Sequence, residues 1–195
     1  MERLVDHING RAIVIADAKR GDIGNTSRQY ARSILDTMGC DAITISPYMG
    51  RDAIEPFIEN PEKGVFVLVV TSNIGAREIQ EHGGKVDPLY KKVIQMADEL
   101  NYADNIGLVV GATQKDIMGN ICKLSKGIPW LIPGVGSQGG ELDYALNSLQ
   151  DRGTAIVNIS RGILYAGDGS INAAIQAARD YTEKIRSIVC NQVNC

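Results

Sequence analysis

Six short apolar runs, each followed by a stretch of helical periodicity, constrain this chain more than any other feature. The runs cover residues 12–16, 42–46, 65–70, 106–110, 130–132 and 154–159. They are continuously apolar, not alternating, as parallel strands covered on both faces require. The intervening helices read 26–38, 51–59, 88–100, 114–126, 141–152 and 171–189. Six βα units in succession specify an α/β protein with right-handed crossovers. No linker or compositional shift interrupts residues 1–195, so a single domain is expected.

Polar residues gather directly after the runs. They include Asp17, Lys19 and Asp22; Ser46, Pro47 and Tyr48; Thr71, Ser72 and Asn73; Gly111 to Thr113; Pro133 to Gly140; and Ser160, Arg161 and Gly162. A barrel of parallel strands concentrates chemistry at that carboxyl-end face. An open doubly wound sheet would place it in one crevice. Polar groups after nearly every run favour the barrel. A closed eight-unit barrel takes about 250 residues, whereas this chain has 195. Leu4, Val5 and Ile8 read as the tail of an amphipathic helix, with Asn9-Gly10 as its C-cap. The expected fold is a (β/α)8 TIM barrel, incomplete here at about six βα units, with the first two missing.

The sharpest chemical signal is Asp17-Ala18-Lys19-Arg20-Gly21-Asp22-Ile23-Gly24-Asn25-Thr26, directly after the first run. Two carboxylates and an ammonium leave the strand together. A strand interior tolerates no such cluster, but a strand end opening into a cleft does, and charges this close alter one another's proton affinity. An ammonium held between carboxylates can deliver a proton to a carbon that has just lost a substituent. On residue chemistry alone, a solvated ion pair at a loop start is the alternative.

Three later segments offer ligand contacts. Pro133-Gly134-Val135-Gly136-Ser137-Gln138-Gly139-Gly140 lies between an apolar run and a helix, where glycines let backbone N–H groups approach an anion. The segment also matches GxGxxG, but no acidic residue ends the following strand to hold a ribose hydroxyl, so dinucleotide binding is disfavoured. Arg161-Gly162 follows the last run, and a guanidinium fork matches phosphate oxygens. The competing readings are a glycine-rich turn and a surface arginine. Ser72 follows a strand beside Thr71 and Asn73, residue types that also favour simple turns. The loop 75–86 reads either as a mobile cover or as an idle surface loop. Tyr48 and Trp130 read as packing residues.

Composition excludes several classes. The net charge of -3 favours neither nucleic acid nor an anionic membrane. No segment approaches the ~18 consecutive apolar residues of a membrane span, and the start lacks the apolar core of a signal peptide. Cys40, Cys122, Cys190 and Cys195 are scattered without metal-ligand spacing, which suits free thiols in a reducing compartment. His7 and His82 have no ligand-spaced partner, so no metal site is expected.

The charged decapeptide resembles the DAKRGDIGxT motif of the longer subgroup of orotidine 5′-phosphate decarboxylases. Ser46-Pro47-Tyr48-Met49-Gly50, Val70-Thr71-Ser72-Asn73, Val110-Gly111-Ala112-Thr113, Ile132-Pro133-Gly134-Val135 and Ser160-Arg161-Gly162 follow in family order. The resemblance implies a cytoplasmic homodimeric TIM barrel that converts orotidine monophosphate to UMP in pyrimidine biosynthesis, with no cofactor. It implies that Asp17, Lys19 and Asp22 are three of four members of a Lys-Asp-Lys-Asp network. Lys19 protonates C6, and Asp17 orients it beside the departing carboxylate. Asp22 and Thr26 reach into the neighbouring subunit's site. Ser72 meets the pyrimidine. Gln138 and Arg161 grip the 5′-phosphate, with Pro133, Gly134 and Gly162 in the same loops. A ribose-binding aspartate and the fourth network lysine, borne on the family's first two strands, have no counterpart here. The resemblance therefore implies a subunit shortened at its amino end and weakened, or silenced, as given. The DxKxxD core is shared with Mg²⁺-dependent sugar-phosphate decarboxylases, an alternative enzyme class. A non-catalytic phosphate-ligand binder is the other.

Overall fold

The computed structural model describes residues 1–8, 10–136, 140–149 and 153–193. The order of elements is α1 (Glu2–Ile8), β1 (Ile15–Arg20), α2 (Gly24–Ala31) running into a π-helical turn (Arg32–Thr37), β2 (Ala42–Ile45), α3 (Arg51–Ile58), β3 (Gly64–Val70), α4 (Ala76–Gln80), α5 (Leu89–Leu100), β4 (Ile106–Val110), α6 (Lys115–Ser125), β5 (Trp130–Ile132), α7 (Gly140–Leu149), β6 (Ala155–Val157), α8 (Arg161–Leu164) and α9 (Ile171–Val193). The chain divides into two compact units, Met1–Val69 with Arg77–Val109, and Val70–Ala76 with Val110–Cys195.

The first unit holds β1 to β4 in sequence order. β1 pairs parallel with β2, and β2 pairs parallel with β3 over Ala42↔Gly64 to Ile45↔Val67. The expectation of continuous burial holds for β2, all of whose residues are buried, because strands flank it on both sides. α3 places Ala53, Ile54, Phe57 and Ile58 in the core, and α5 places Tyr90, Val93, Ile94, Ala97 and Leu100 there. Both are the i, i+3, i+4 stripes of amphipathic helices.

Three expectations are corrected in this unit. β1 begins at Ile15 instead of residue 12 and takes in Asp17 and Lys19, so the charged cluster starts inside the strand. No residue of β1 is buried, since β2 is its one neighbour in the sheet and a strand so placed tolerates charge. The expected helix 26–38 starts at Gly24 and widens at Arg32–Thr37, where the Met38 N–H bonds back to the Ser33 carbonyl. Tyr48 is 78% exposed and so is not a core residue. The loop 75–86 contains α4, and Gly83 turns so tightly that a methyl group there would meet the Asp87 carbonyl oxygen.

The second unit holds β5 and β6, paired parallel over Trp130↔Ala155 to Ile132↔Val157. Trp130 is fully buried, as expected of a packing residue, and its Nε1–H donates to Ser125 Oγ at 3.3 Å. α6 buries Met118, Ile121 and Cys122 and stops at Lys126, whose left-handed φ of 49° precedes Gly127. β6 is shorter than the run 154–159, and α7 ends at Leu149 before residues that lie outside the described set. Lys184 of α9 pairs with Asp143 of α7 at 3.1 Å. Cys40, Cys122 and Cys190 are free thiols, and Cys195 lies outside the described residues. No helix among the described residues is long and apolar enough to cross a membrane.

Candidate active site

In the first unit the candidate residues Asp17 and Lys19 lie where β1 ends against β2. The ladder loses register between Ala16 and Arg20, and Lys19 adopts a left-handed φ of 47°, a conformation that costs a non-glycine residue roughly 1 kcal/mol or more. The neighbouring strand compensates. Thr44, fully buried in β2, accepts the Lys19 backbone N–H at 3.0 Å and donates its hydroxyl to Asp17 Oδ1 at 2.9 Å. The same carboxylate oxygen lies 2.5 Å from Lys19 Nζ. The side chains of Lys19 and Asp17 are 50% and 53% exposed. An ion pair so exposed contributes little to stability, roughly 0–1 kcal/mol.

Asp22 does not join that pair. Its carboxylate accepts the Ile23 backbone N–H at 2.8 Å, and among the described residues it forms no ion pair with Lys19. The turn at Gly21 separates them: a methyl group there would lie 2.9 Å from the Ser46 carbonyl oxygen. The Asp22 backbone is clamped by fully buried Ser27, whose Oγ donates to the Asp22 carbonyl at 2.5 Å and accepts its N–H at 3.3 Å. Thr26 is exposed on the first turn of α2. The expected lysine between two carboxylates is thus, within this chain, a lysine beside one. This unit also holds a cavity of about 340 Å³, lined by Ser46, Pro47, Tyr48, Leu68, Tyr90 and Met96 among others. Neither Asp17 nor Lys19 lines it.

In the second unit, Ser72 stands exposed at the end of β3, closely flanked by two glycines. A methyl group on Gly111 would fall 2.9 Å from the Ser72 nitrogen, and one on Gly134 would fall 3.0 Å from Ser72 Oγ. Gly134 also has a φ of 83°, so both space and backbone call for glycine. Pro133 precedes it, its carbonyl accepting the Ala112 N–H at 2.9 Å. Arg161 opens α8, exposed, and its guanidinium has no ion pair among the described residues. Gly162 packs against α9, where a methyl group would lie 2.7 Å from the Tyr181 hydroxyl. Gln138 lies outside the described residues, as does most of the turn around it.

Sequence reasoning missed Thr44, Ser27 and Tyr181. Thr44 carried a signal, being a polar residue inside the apolar run 42–46. Ser27 and Tyr181 carried none, because a serine or tyrosine within a helical pattern is unremarkable.

A sequence profile of the orotidine 5′-phosphate decarboxylase / HUMPS family matches residues 2–177. A protein of Dehalococcoides mccartyi named orotidine 5′-phosphate decarboxylase is 48% identical over 183 residues, covering 91% of this chain and 67% of the relative. One of the same name from Roseiflexus castenholzii is 43% identical over 195 residues, covering 97% and 70%. Among solved structures, a putative orotidine-monophosphate decarboxylase from Toxoplasma gondii superposes with a TM-score of 0.89 at 33% identity, covering 100% of this chain and 74% of that one. The orotidine monophosphate decarboxylase of Leishmania donovani gives 0.82 at 33% identity, covering 96% and 72%. The chain thus spans about two thirds to three quarters of these relatives, and it shares their α/β fold.

Proposed function

Because the chain belongs to the orotidine 5′-phosphate decarboxylase family, we propose that it acts on orotidine 5′-phosphate, releasing CO₂ and leaving UMP, with Lys19 as the proton donor. The observation that carries the reading is the Lys19–Asp17 pair held by the buried hydroxyl of Thr44. The bond from C6 to the carboxylate carbon breaks, and its electron pair stays on C6. The Lys19 ammonium then gives a proton to C6, forming the C–H bond of UMP and leaving a neutral amine. No imine or other covalent electron sink lies in this path, so fixed charge must stabilise the developing carbanion. Lysine suits that task as a compact point charge. Asp17 orients the ammonium and faces the substrate carboxylate, whose departure as CO₂ relieves the repulsion.

The remaining roles follow from the family motif. Ser72 hydrogen-bonds the pyrimidine. Arg161 and Gln138 hold the 5′-phosphate, the arginine through its two-pronged fork, with Pro133, Gly134 and Gly162 shaping the loops that present them. Asp22 and Thr26 serve the site of a partner subunit in a homodimer. That the Asp22 carboxylate accepts the Ile23 N–H and does not pair with Lys19 supports that assignment. We place the reaction in cytoplasmic pyrimidine nucleotide synthesis, without a cofactor, in one barrel domain.

The test is UMP formation from orotidine 5′-phosphate by the purified chain, before and after EDTA. Turnover that survives EDTA and disappears in Lys19→Ala is the expected result. Strict dependence on Mg²⁺ overturns the assignment in favour of a sugar-phosphate decarboxylase. Binding of UMP with no turnover overturns it in favour of a phosphate-ligand binder.

A further inference from the structure

Gln114 is a buried polar residue, 8% exposed, that none of the roles above employs. It stands at the N-cap of α6 but makes no capping bond to that helix. Its Nε2–H instead donates to the Thr71 carbonyl oxygen at 2.6 Å, across to the end of β3. That oxygen shares a rigid peptide plane with the Ser72 N–H. Holding the one therefore sets the direction of the other and the origin of the Ser72 side chain. The same peptide is pressed by Gly111, where a methyl group would lie 3.0 Å from the Thr71 carbonyl carbon. Gly134 closes on the Ser72 hydroxyl from another side. A peptide confined by two close glycines has little room, and the amide of Gln114 selects its orientation within that room.

We propose that Gln114 is a positioning residue for recognition of the nucleobase, acting through the Thr71–Ser72 peptide. The inference rests on the reading that Ser72 meets the pyrimidine. It makes base affinity, and not phosphate affinity, sensitive to a side chain that touches no ligand.

The experiment measures binding of UMP and of ribose 5-phosphate, which lacks the base, to the full chain by calorimetry. The variants are Gln114→Met, Gln114→Glu, Ser72→Ala and the Ser72→Ala/Gln114→Met pair. Gln114→Glu keeps size and polarity but loses the donor, so it stands in if Gln114→Met fails to fold. Each Gln114 variant is expected to weaken UMP binding about 10-fold, the worth of one well-placed hydrogen bond, and to leave ribose 5-phosphate unchanged. The double variant is expected to bind UMP no worse than Ser72→Ala alone. Equal losses for both ligands, additive losses in the pair, or unchanged UMP binding in both Gln114 variants overturn the positioning role. If Ser72→Ala has no effect, or the wild type binds no UMP, the reading beneath it falls as well.

Discussion

The hydroxyl of Thr44 accepts the Lys19 backbone N–H at 3.0 Å, joining a fully buried position of β2 to an exposed position of β1. The same oxygen donates to Asp17. One small polar group in the core thereby fixes both the backbone that bears the ammonium and the carboxylate that orients it.

Replacing Thr44 with valine keeps the volume and removes both bonds. Asp17 Oδ1 retains the lysine and water as partners, whereas the Lys19 N–H loses its acceptor. Thr44→Val is expected to lower unfolding free energy by about 1–2 kcal/mol, and Thr44→Ser by less. Urea midpoints measure this. Equal midpoints for Thr44→Val and wild type would show that the hydroxyl anchors nothing.

Lys19 occupies a left-handed conformation that glycine adopts freely. Both Lys19→Ala and Lys19→Gly remove the ammonium, so both are expected to be inactive. Their stabilities should differ, with Lys19→Gly more stable than Lys19→Ala by up to about 1 kcal/mol, against the usual trend for glycine. Thermal melts of the two variants decide it, and a less stable glycine variant would rule out strain at this residue.

Arg51 at the start of α3 pairs with Glu99 near the end of α5, and Gln95 Nε2 donates to the same carboxylate at 2.8 Å. The Arg51 hydrogen bond, followed by that from Gln95, holds the Glu99 carboxyl below its ordinary value of 4.5. A carboxyl with a lowered folded pKa binds its proton more tightly in the unfolded chain. Its stabilisation is therefore present above pH 4.5 and lost as pH falls through the lower folded value. The gap in melting temperature between wild type and Glu99→Gln is expected to be small, since the pair is exposed, and to close on acidification. A gap that widens toward low pH would contradict the pairing.

The interior strands were legible because β2, β4 and β5 are buried along their whole length, and continuous apolar runs report that burial directly. β1 was not placed correctly for the complementary reason. Its residues are half-exposed or exposed, so charge continued past the apolar run while the backbone stayed extended. α8 escaped notice because four residues cannot express a helical period. The π-helical turn after α2 leaves no mark either, since the amphipathic pattern passes through it with Ile34 and Leu35 still buried.

The candidate site showed the same division. Asp17, Lys19, Ser72 and Arg161 were visible as polar residues following apolar runs. Gln114 read only as the first residue of a helix, because whether an N-cap side chain serves its own helix or a neighbouring strand is decided by tertiary packing. Asp22 was singled out, but the turn at Gly21 that parts it from Lys19 depends on the close approach of Ser46, which no local pattern encodes.

The bond between Thr44 and Lys19 bears on any attempt to transplant this charged pair. Grafting the ten residues from Asp17 to Thr26 onto another parallel scaffold moves the ammonium and its counter-ion but not their shared anchor, which belongs to the adjacent strand, between the pairings Ala16↔Ile43 and Arg20↔Ile45. The portable module is two strands wide, and a recipient lacking a hydroxyl at that register would inherit the letters of the motif without its geometry.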